Sequence, residues 1–299
     1  MDLTTTYLGL PLKNPLVTSA CSLTGTPEGV RKLEAAGFAA VVVRSIFEED
    51  LARIGDAHLA NLQAIRAAAT IPVIASVNCR AHASWESFAR QIESTGVAAL
   101  ELNLYDIPVD PTESSAQIEA RQLDLVRQVV AATRLPVTVK ISPFYTALIP
   151  FCLALQQAGA KGLVLFNRFM QPDINTETGQ LRYNVNFSVS KDMLLPLRWT
   201  AILRDQLTLD IALTGGIHTV DDAVQAILVG ATVLAPCSVL YQRPEANPAG
   251  ELLDGLRHWL ARKGHQQISE CRGAMRNTNF GDRTGFERAH YMKTLSSVK

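Results

Sequence analysis

Two successive turns in the second half of the chain have the residue types of a phosphate-binding site. The first turn is Thr214-Gly215-Gly216 and the second is Cys237-Ser238, each at the end of a short apolar segment. Glycine allows backbone N–H groups to approach an anion closely, and a helix N-terminus adds partial positive charge. Together the two turns predict a phosphate site at one end of a parallel-strand barrel. The alternative is that Gly215-Gly216 is a tight strand-to-helix turn without a ligand.

Lys140 is another candidate for a functional role, because it lies inside the apolar segment VTVKIS. Burial of a lysine is unfavourable unless an anionic partner compensates its charge. An anion or an electron-rich ring at the mouth of a barrel would supply that compensation. In the alternative interpretation, only the aliphatic part is buried and the ammonium group reaches water from the end of a strand.

Polar residues end nearly every apolar segment of the chain. They are Ser19, Arg44, Asn78, Asn103, Lys140, Asn167, Thr214 and Ser238. In a parallel barrel such residues lie at the C-terminal ends of the strands, where active sites form. A mostly neutral pocket with amides, one buried lysine and a phosphate site matches the cofactor FMN. The lysine would stabilise negative charge on the pyrimidine edge of the reduced flavin, and the asparagines would bind its carbonyl and imide groups.

Eight apolar segments of strand length alternate with segments of helical periodicity. These segments are residues 16–19, 39–44, 72–78, 99–105, 136–142, 162–167, 210–215 and 233–238. Continuous apolarity is typical of strands that are buried on both faces, as in parallel sheets. The alternation predicts an α/β protein with a (β/α)8 TIM barrel, formed by one domain over residues 1–299. A doubly wound open sheet is the competing architecture, but the sequence lacks the GxGxxG turn that is typical of it.

Two additions to the barrel are predicted. Thr178-Gly179 is followed by the alternating segment LRYNVNFSV, which indicates a β-hairpin after the sixth strand. After the eighth strand the chain continues as a short helical tail. Its helical segments are predicted at residues 249–263, 269–276 and 285–295.

The composition argues against several classes of partner and site. Lysine plus arginine and aspartate plus glutamate number 28 each, so no net charge favours nucleic acid or an anionic membrane. The N-terminus lacks a signal-peptide pattern, and no apolar segment approaches the ~20 residues that span a bilayer, which predicts a cytoplasmic protein. The five cysteines never form CxxC and the six histidines do not cluster. We therefore expect no disulfide framework, iron–sulfur cluster or metal site.

Ordered motifs over nearly the whole chain resemble the dihydroorotate dehydrogenase family, whose members are FMN-containing barrel oxidoreductases of pyrimidine metabolism. The motifs KNPLVTSA, VRS, ELNL, VKI, LTGGI and GATVLAPCSVL are similar to its cytosolic branch. The motifs ELNLYDIP, ISPF, LVLFNRFMQPDI, LPLRW and ERAHYMK are similar to a bacterial subgroup described as dihydroorotate dehydrogenase-like. The residues that this resemblance implies as FMN contacts are Ser19, Ala20, Asn103, Lys140, Asn167, Gly215, Gly216, Cys237 and Ser238.

The chain also departs from the family pattern. The family lysine after the second strand is Arg44 here, and a glycine of the last phosphate turn is Cys237. The position of the family's catalytic cysteine or serine is Asp106, next to Tyr105. The orotate-binding segment of the NSMGLPN type has no counterpart after Arg44, and the loop at residues 45–55 is expected to be short.

These observations predict an FMN-dependent oxidoreductase of CH–CH bonds that transfers hydride between a small dihydropyrimidine-like substrate and the flavin. Asp106 is predicted to be the acid/base, in a loop over residues 106–113 that could close over the site. Lys140 and Arg44 are the predicted catalytic cations. Tyr105 is the alternative acid/base, and a solvated turn residue is the alternative interpretation of Asp106, which would need burial to act as a base at neutral pH.

Two other classes of function stay open. The first is a flavin-binding electron-transfer accessory protein that has no organic substrate of its own. The second is a barrel enzyme without flavin that binds a sugar phosphate, and a yellow protein that absorbs near ~450 nm would exclude it. Besides a small-molecule substrate, a redox partner protein and a second copy of the chain in a homodimer are open as partners.

Overall fold

Strands and helices alternate through the part of the chain that a computed structural model describes. The described residues are 1–78, 85–279, 284–287 and 295–296. The strands are β1 (Thr5–Tyr7), β2 (Leu10–Leu12), β3 (Val41–Val42), β4 (Ile46–Phe47), β5 (Val73–Asn78), β6 (Ala99–Asn103), β7 (Val137–Ile141), β8 (Gly162–Leu165), β9 (Asp173–Ile174), β10 (Leu181–Arg182), β11 (Asp210–Thr214) and β12 (Val233–Ala235). The helices are α1 (Pro27–Ala36), α2 (Glu48–Ala68), α3 (Trp85–Ser94), α4 (Ser115–Ala132), α5 (Leu148–Gln157), α6 (Leu194–Leu203), α7 (Val220–Leu228), α8 (Ser238–Gln242), α9 (Pro248–Lys263) and α10 (Thr284–Glu287).

A closed ring of parallel strands forms the centre of the protein. Most of the ring is a sheet in the order β12-β11-β8-β7-β6-β5-β3, with β4 also paired to β5. The remaining member is the short extended segment Leu16-Val17, which bridges Leu234 of β12 on one side and Ala40, next to β3, on the other. The Val17 N–H donates to the Leu234 carbonyl at 2.9 Å. The predicted (β/α)8 barrel is therefore confirmed.

The barrel strands are buried on both faces, as their continuous apolarity predicts. Every residue of β5, β6, β7 and β8 is buried. One set of side chains, which includes Leu100 and Leu163, packs with the surrounding helices. A smaller core fills the inside of the barrel, where the β1–β2 hairpin contributes Tyr7 and Leu8. Because the Leu8 N–H donates to Asp210 at the start of β11, the hairpin closes the N-terminal end of the barrel and leaves the opposite end for a site.

Two helices that follow loops at the C-terminal end of the barrel have side-chain caps at their N-termini. Ser114 begins α4 in a capping box with Gln117, and Thr219 begins α7 in a capping box with Asp222. Such caps satisfy N–H groups that have no partner inside the helix. The loop after β6 and the turn after β11 are therefore fixed at their helical ends.

The connections after the second and sixth barrel strands follow the predictions with one adjustment. β9 and β10 pair antiparallel and Gly179 has φ 66° between them, so the predicted hairpin is confirmed. The connection after β3 is even shorter than residues 45–55, because α2 already begins at Glu48. Three acidic residues in the first turn of α2 favour this early start, since they interact well with the helix dipole.

The prediction of a helical tail is right for its first segment and wrong for its second. Helix α9 ends at Gly264 as predicted and begins one residue before the expected segment. Residues 269–276 contain a 3-10 turn and further turns rather than an α-helix, and Gly273, with φ 75°, is incompatible with helix continuation. Helix α10 overlaps the predicted segment 285–295, of which residues 288–294 lie outside the described residues.

The described residues contain neither a membrane-spanning helix nor a cluster of metal-binding side chains. None of their helices has the length and apolar character that crossing a membrane requires. In the same part of the chain, no group of three or more His, Cys, Asp or Glu residues is arranged to hold a metal ion.

Candidate active site

A cavity of about 490 Å³, called the Lys140 cavity below, opens at the C-terminal ends of the barrel strands. Its wall includes every predicted site residue except Gly216 and Asp106. The predicted residues that line it are Ser19, Ala20, Arg44, Asn103, Lys140, Asn167, Thr214, Gly215, Cys237 and Ser238. The polar residues that end successive strands therefore meet in one place, as the geometry of a parallel barrel requires.

Lys140 is a buried cation of this cavity, with 9% of its surface exposed. It lies on β7 directly opposite Asn103 of β6. Its Nζ donates to Ser19 Oγ at 3.5 Å, and Ser19 Oγ is hydrogen-bonded to Thr214 Oγ1 at 3.2 Å. In the described part of the chain, Lys140 forms no ion pair with a carboxylate. A buried ammonium group in this setting suits a ligand that brings negative charge or an electron-rich ring.

Two asparagines beside Lys140 differ in how their amide groups are used. Asn167 Nδ2 donates to the carbonyl groups of Leu104 and Lys140, at 3.1 and 3.3 Å. Asn103 Oδ1 is buried and has no hydrogen-bond partner among the described residues. An unsatisfied buried acceptor costs about 1–3 kcal/mol. Asn103 is therefore available to accept a hydrogen bond from the N–H group of a ligand.

Gly215 and Gly216 have different roles in the first predicted phosphate turn. Both have positive φ angles, 84° and 81°, which favour glycine. A Cβ atom at Gly215 would meet nothing within 4 Å, so this residue presents its backbone to open space in the cavity. A Cβ atom at Gly216 would collide with the backbone of Met193. Gly215 therefore leaves room for a ligand, whereas Gly216 allows close packing behind the wall.

The second predicted phosphate turn contains a cysteine where the resemblance leads us to expect glycine. Cys237 has φ −137°, a value that any residue adopts. This turn therefore does not use the left-handed conformation that favours glycine. Cys237 and Ser238 both line the cavity, so the turn has a thiol and a hydroxyl in its wall.

Ser188 belongs to the site although the sequence analysis missed it. Its N–H donates to Ser238 Oγ at 3.0 Å, and its Oγ accepts from the Gly216 N–H at 3.2 Å. Ser188 Oγ is also hydrogen-bonded to His218 Nε2 at 3.2 Å. The alternation in YNVNFSV was the available signal, because alternate residues of an extended segment share a face. Other cavity residues without a prediction include Cys21, Ser22, Phe47, Asn186, Phe187 and Tyr241.

Tyr105 and Asp106 line different cavities. Tyr105 lines the Lys140 cavity, whereas Asp106 lines a neighbouring cavity of about 400 Å³, called the Asp106 cavity below. The Tyr105 ring stacks on Phe169, with ring centroids 4.5 Å apart, and Phe169 lines the Asp106 cavity. One Asp106 carboxylate oxygen lies 3.5 Å from the Arg121 guanidinium group. Of the two predicted acid/base candidates, only Tyr105 is brought next to the other predicted site residues.

Arg44 lines the Lys140 cavity from a solvent-exposed position, in contrast to the buried Lys140. A guanidinium group can bind a carboxylate or another planar anion through two parallel hydrogen bonds. The cavity therefore combines a buried point charge with an exposed fork-shaped cation.

Comparisons with known proteins identify the family of this chain. A family model described as dihydroorotate dehydrogenase matches residues 51–260. The chain is 29% identical over 297 residues to the catalytic subunit of dihydroorotate dehydrogenase B (NAD(+)) of Desulforudis audaxviator, which covers 90% of this chain and 96% of that protein. It is 30% identical over 191 residues to dihydroorotate dehydrogenase A (fumarate) of Lacticaseibacillus paracasei, which covers 60% of this chain and 63% of that protein. Because the family model matches more than half of the chain, the protein belongs to the dihydroorotate dehydrogenase family.

Proposed function

We propose that the chain is an FMN-dependent oxidoreductase that acts on a CH–CH bond of a small dihydropyrimidine-like substrate in the Lys140 cavity. Its relatives are named dihydroorotate dehydrogenases, and the family is flavin-dependent. The observation that carries the proposal is the pair formed by Lys140 and Asn103. Among the described residues, the buried ammonium group has no ion pair and the neighbouring amide oxygen has no hydrogen-bond partner.

The groups in the cavity wall fit a flavin with a phosphate chain. The backbone at Gly215 and the hydroxyl group of Ser238 are available to the phosphate. Lys140 and Asn103 match the ring, because Asn103 can accept a hydrogen bond from an imide N–H and Lys140 can face a carbonyl oxygen. When bound, FMN supplies a ring that takes up and returns two electrons.

Lys140 stabilises the negative charge that develops at the ring during the reaction. Its ammonium group is already buried and held by Ser19, so it needs little reorganisation when the charge appears. A fixed charge acts more strongly in a site shielded from water than in bulk solvent.

Tyr105 takes the proton-transfer role in this proposal. Its side chain lines the Lys140 cavity, and its hydroxyl group accepts a hydrogen bond from the Met170 N–H at 3.3 Å. Asp106 would have to leave the Arg121 guanidinium group to reach the same cavity. The loop over residues 106–113 would then have to rearrange, which makes Asp106 the second choice.

The substrate is recognised by Arg44 and Phe47 on the side where the family has its orotate-binding segment. Helix α2 follows these residues directly, so that segment is replaced by the exposed guanidinium group and the Phe47 ring at the cavity wall. A planar ring that carries a carboxylate or carbonyl group matches this combination of an aromatic surface and a fork-shaped cation.

Anaerobic reduction of the purified protein tests the proposal. The protein is loaded with FMN and mixed separately with dihydroorotate, other dihydropyrimidines and NAD(P)H while the flavin absorption near ~450 nm is followed. Rapid loss of this absorption with a dihydropyrimidine supports the proposal. A protein that does not take up FMN, or bound flavin that no dihydropyrimidine reduces, contradicts it.

The replacement of the orotate-binding segment by α2 also favours a second candidate, an accessory protein that passes electrons through its flavin. Such a protein would have no organic substrate of its own. The anaerobic experiment separates the two functions, because the flavin of an accessory protein would be reduced by a partner protein and by none of the small molecules.

A further inference from the structure

Two cysteines lie in the wall of the Lys140 cavity, and the proposed reaction uses neither thiol. Cys21 and Cys237 both line the cavity, and both are free and partly exposed. Cys152 and Cys271 are also free but buried. The two cavity thiols are therefore accessible to a small oxidant, whereas the two buried thiols are shielded.

The barrel brings the two cysteines to the same end of neighbouring strands. Leu16 pairs with Leu234 in parallel register, where the chain segment before Cys21 closes the barrel against β12. Cys237 lies three residues after Leu234, and Cys21 lies five residues after Leu16. Both thiols therefore belong to adjacent turns above the same strand pair.

A contact next to the cysteines holds these two turns together. The Ser22 N–H donates to Tyr241 Oη at 3.0 Å, and Ser22 Oγ lies 2.6 Å from the same oxygen. Ser22 directly follows Cys21, and Tyr241 lies in α8, which begins directly after Cys237. The turns that carry the two cysteines are thus joined by hydrogen bonds as well as by strand pairing.

The thiols also interact with each other. A hydrogen bond from the Cys237 thiol is the main cause that lowers the pKa of Cys21, and the same hydrogen bond together with burial raises the pKa of Cys237. A thiolate is the nucleophile in thiol–disulfide exchange, so Cys21 is the attacking residue. Cys237 is then the resolving residue.

We propose that Cys21 and Cys237 form a reversible disulfide bond in the wall of the Lys140 cavity, and that this bond hinders binding of the cofactor phosphate. The bond itself follows from the arrangement of the two cysteines, whereas its effect on FMN rests on the proposed function. A disulfide fixes its sulfur atoms about 2.05 Å apart. Its formation draws together the turns that carry Cys21 and Ser238 and removes both thiols from the wall.

The reaction needs a low-molecular-weight disulfide as oxidant. The Cys21 thiolate attacks one sulfur of that disulfide, its S–S bond breaks, and one thiolate leaves. The Cys237 thiol then loses its proton and its sulfur attacks Cys21 in the mixed disulfide, which releases the second small thiol. Two protein thiols are oxidised, one small disulfide is reduced to two thiols, and the protons pass to the leaving groups.

Peptide mapping by mass spectrometry of FMN-free protein treated with oxidised glutathione tests the bond. We expect a linked pair of peptides that contain Cys21 and Cys237, which dithiothreitol separates. The dissociation constant of FMN, measured by quenching of flavin fluorescence, should be at least about tenfold higher for the oxidised protein, a change of about 1.4 kcal/mol. Absence of the linked peptides from oxidised wild-type protein would overturn the inference.

Matched variants separate this pair from the other cysteines. Cys21→Ser should lose both the linked peptides and the sensitivity of FMN binding to oxidation, whereas Cys152→Ser should keep both. Cys79→Ser should also keep both, which tests a cysteine outside the described residues. Loss of the effect in Cys79→Ser would contradict the assignment. A disulfide that forms in protein unable to bind FMN when reduced would overturn the proposed function but not the bond.

Discussion

The Lys140 cavity and the Asp106 cavity are neighbours, but their polar groups are satisfied in different ways. In the Asp106 cavity, Asp106 lies beside Arg121, and Tyr145 donates to Gln122 at 2.8 Å. In the Lys140 cavity, the described residues provide no ion pair for Lys140 and no partner for Asn103 Oδ1. In the first arrangement, the protein itself supplies partners for Asp106 and Tyr145. The second gains most from a ligand.

This difference shows which cavity is prepared for binding. Polar groups that are hydrogen-bonded to one another stabilise the fold. Removal of one of them destabilises the fold, because its partner is left without a hydrogen bond. A polar group held without a partner weakens the fold slightly and strengthens the interaction with a matching ligand. Removal of a polar group without a partner and removal of a paired polar group should therefore have opposite effects on stability, and only the first should weaken FMN binding.

The largest effect is expected from Lys140→Met. Loss of the buried charge should lower the rate of flavin reduction by about 10²–10³-fold, as loss of one preorganised stabilising group does in other enzymes. Stopped-flow absorption under anaerobic conditions measures this rate. Lys161→Met is the matched control, because Lys161 is exposed immediately before β8, at the opposite end of the barrel. Equal rates for Lys140→Met and wild type would contradict the role of Lys140.

Tyr105→Phe and Asp106→Asn compare the two cavities at adjacent residues. Tyr105→Phe should lower turnover by about 10²-fold, because a positioned acid/base contributes at least this much. Asp106→Asn should leave turnover nearly unchanged and lower the free energy of unfolding by at most about 1 kcal/mol, through the weakened contact with Arg121. Steady-state kinetics and urea unfolding measure both effects. A larger loss of turnover in Asp106→Asn than in Tyr105→Phe would assign the acid/base role to Asp106 instead.

Gly215→Ala should weaken FMN binding by about tenfold, or 1.4 kcal/mol. The new Cβ atom would enter the open space in front of the phosphate turn, and the positive φ would add strain of roughly 1–2 kcal/mol. Gly179→Ala is a close control, because Gly179 also has a positive φ and open surroundings but lies in the β9–β10 hairpin. Both variants should lose similar stability, and only Gly215→Ala should lose affinity in a fluorescence titration.

Asn103→Leu and Gln122→Leu compare a polar group without a partner with a hydrogen-bonded one, and their expected effects are small. Asn103→Leu should raise the free energy of unfolding of the FMN-free protein by about 1 kcal/mol, because a buried acceptor without a partner is removed. Gln122→Leu should lower it by about 1 kcal/mol, because the Tyr145 hydroxyl group loses its acceptor. Urea unfolding measures these values, and FMN titration should show a loss of affinity for Asn103→Leu alone. A loss of stability in both variants would remove the distinction between the cavities.

The barrel and most of the Lys140 cavity could be predicted because both depend on short sequence patterns. Continuous apolar segments identify strands that are buried on both faces, and the polar residue that ends each segment must then lie at one end of the barrel. Asn103 and Lys140 are an example, since they end adjacent strands and pair in register. The positive φ of Gly215 likewise follows from the turn that joins β11 to the next helix.

The rest of the site depends on contacts between distant parts of the chain. Tyr105 stacks on Phe169, which lies in another loop, and it lines a different cavity from its neighbour Asp106. Ser188 reaches Gly216 and Ser238 from the end of the excursion that contains the hairpin. No local pattern encodes these contacts, because the direction of a loop side chain is fixed by the surface against which it packs.

A crystal structure of the protein with bound FMN would show directly whether the Lys140 cavity is the flavin site. We expect the phosphate group beside Gly215 and Ser238, the ring beside Lys140, and a hydrogen bond from the ring to Asn103 Oδ1. Flavin bound in the Asp106 cavity or at the surface, with Asn103 still lacking a partner, would contradict the proposed site.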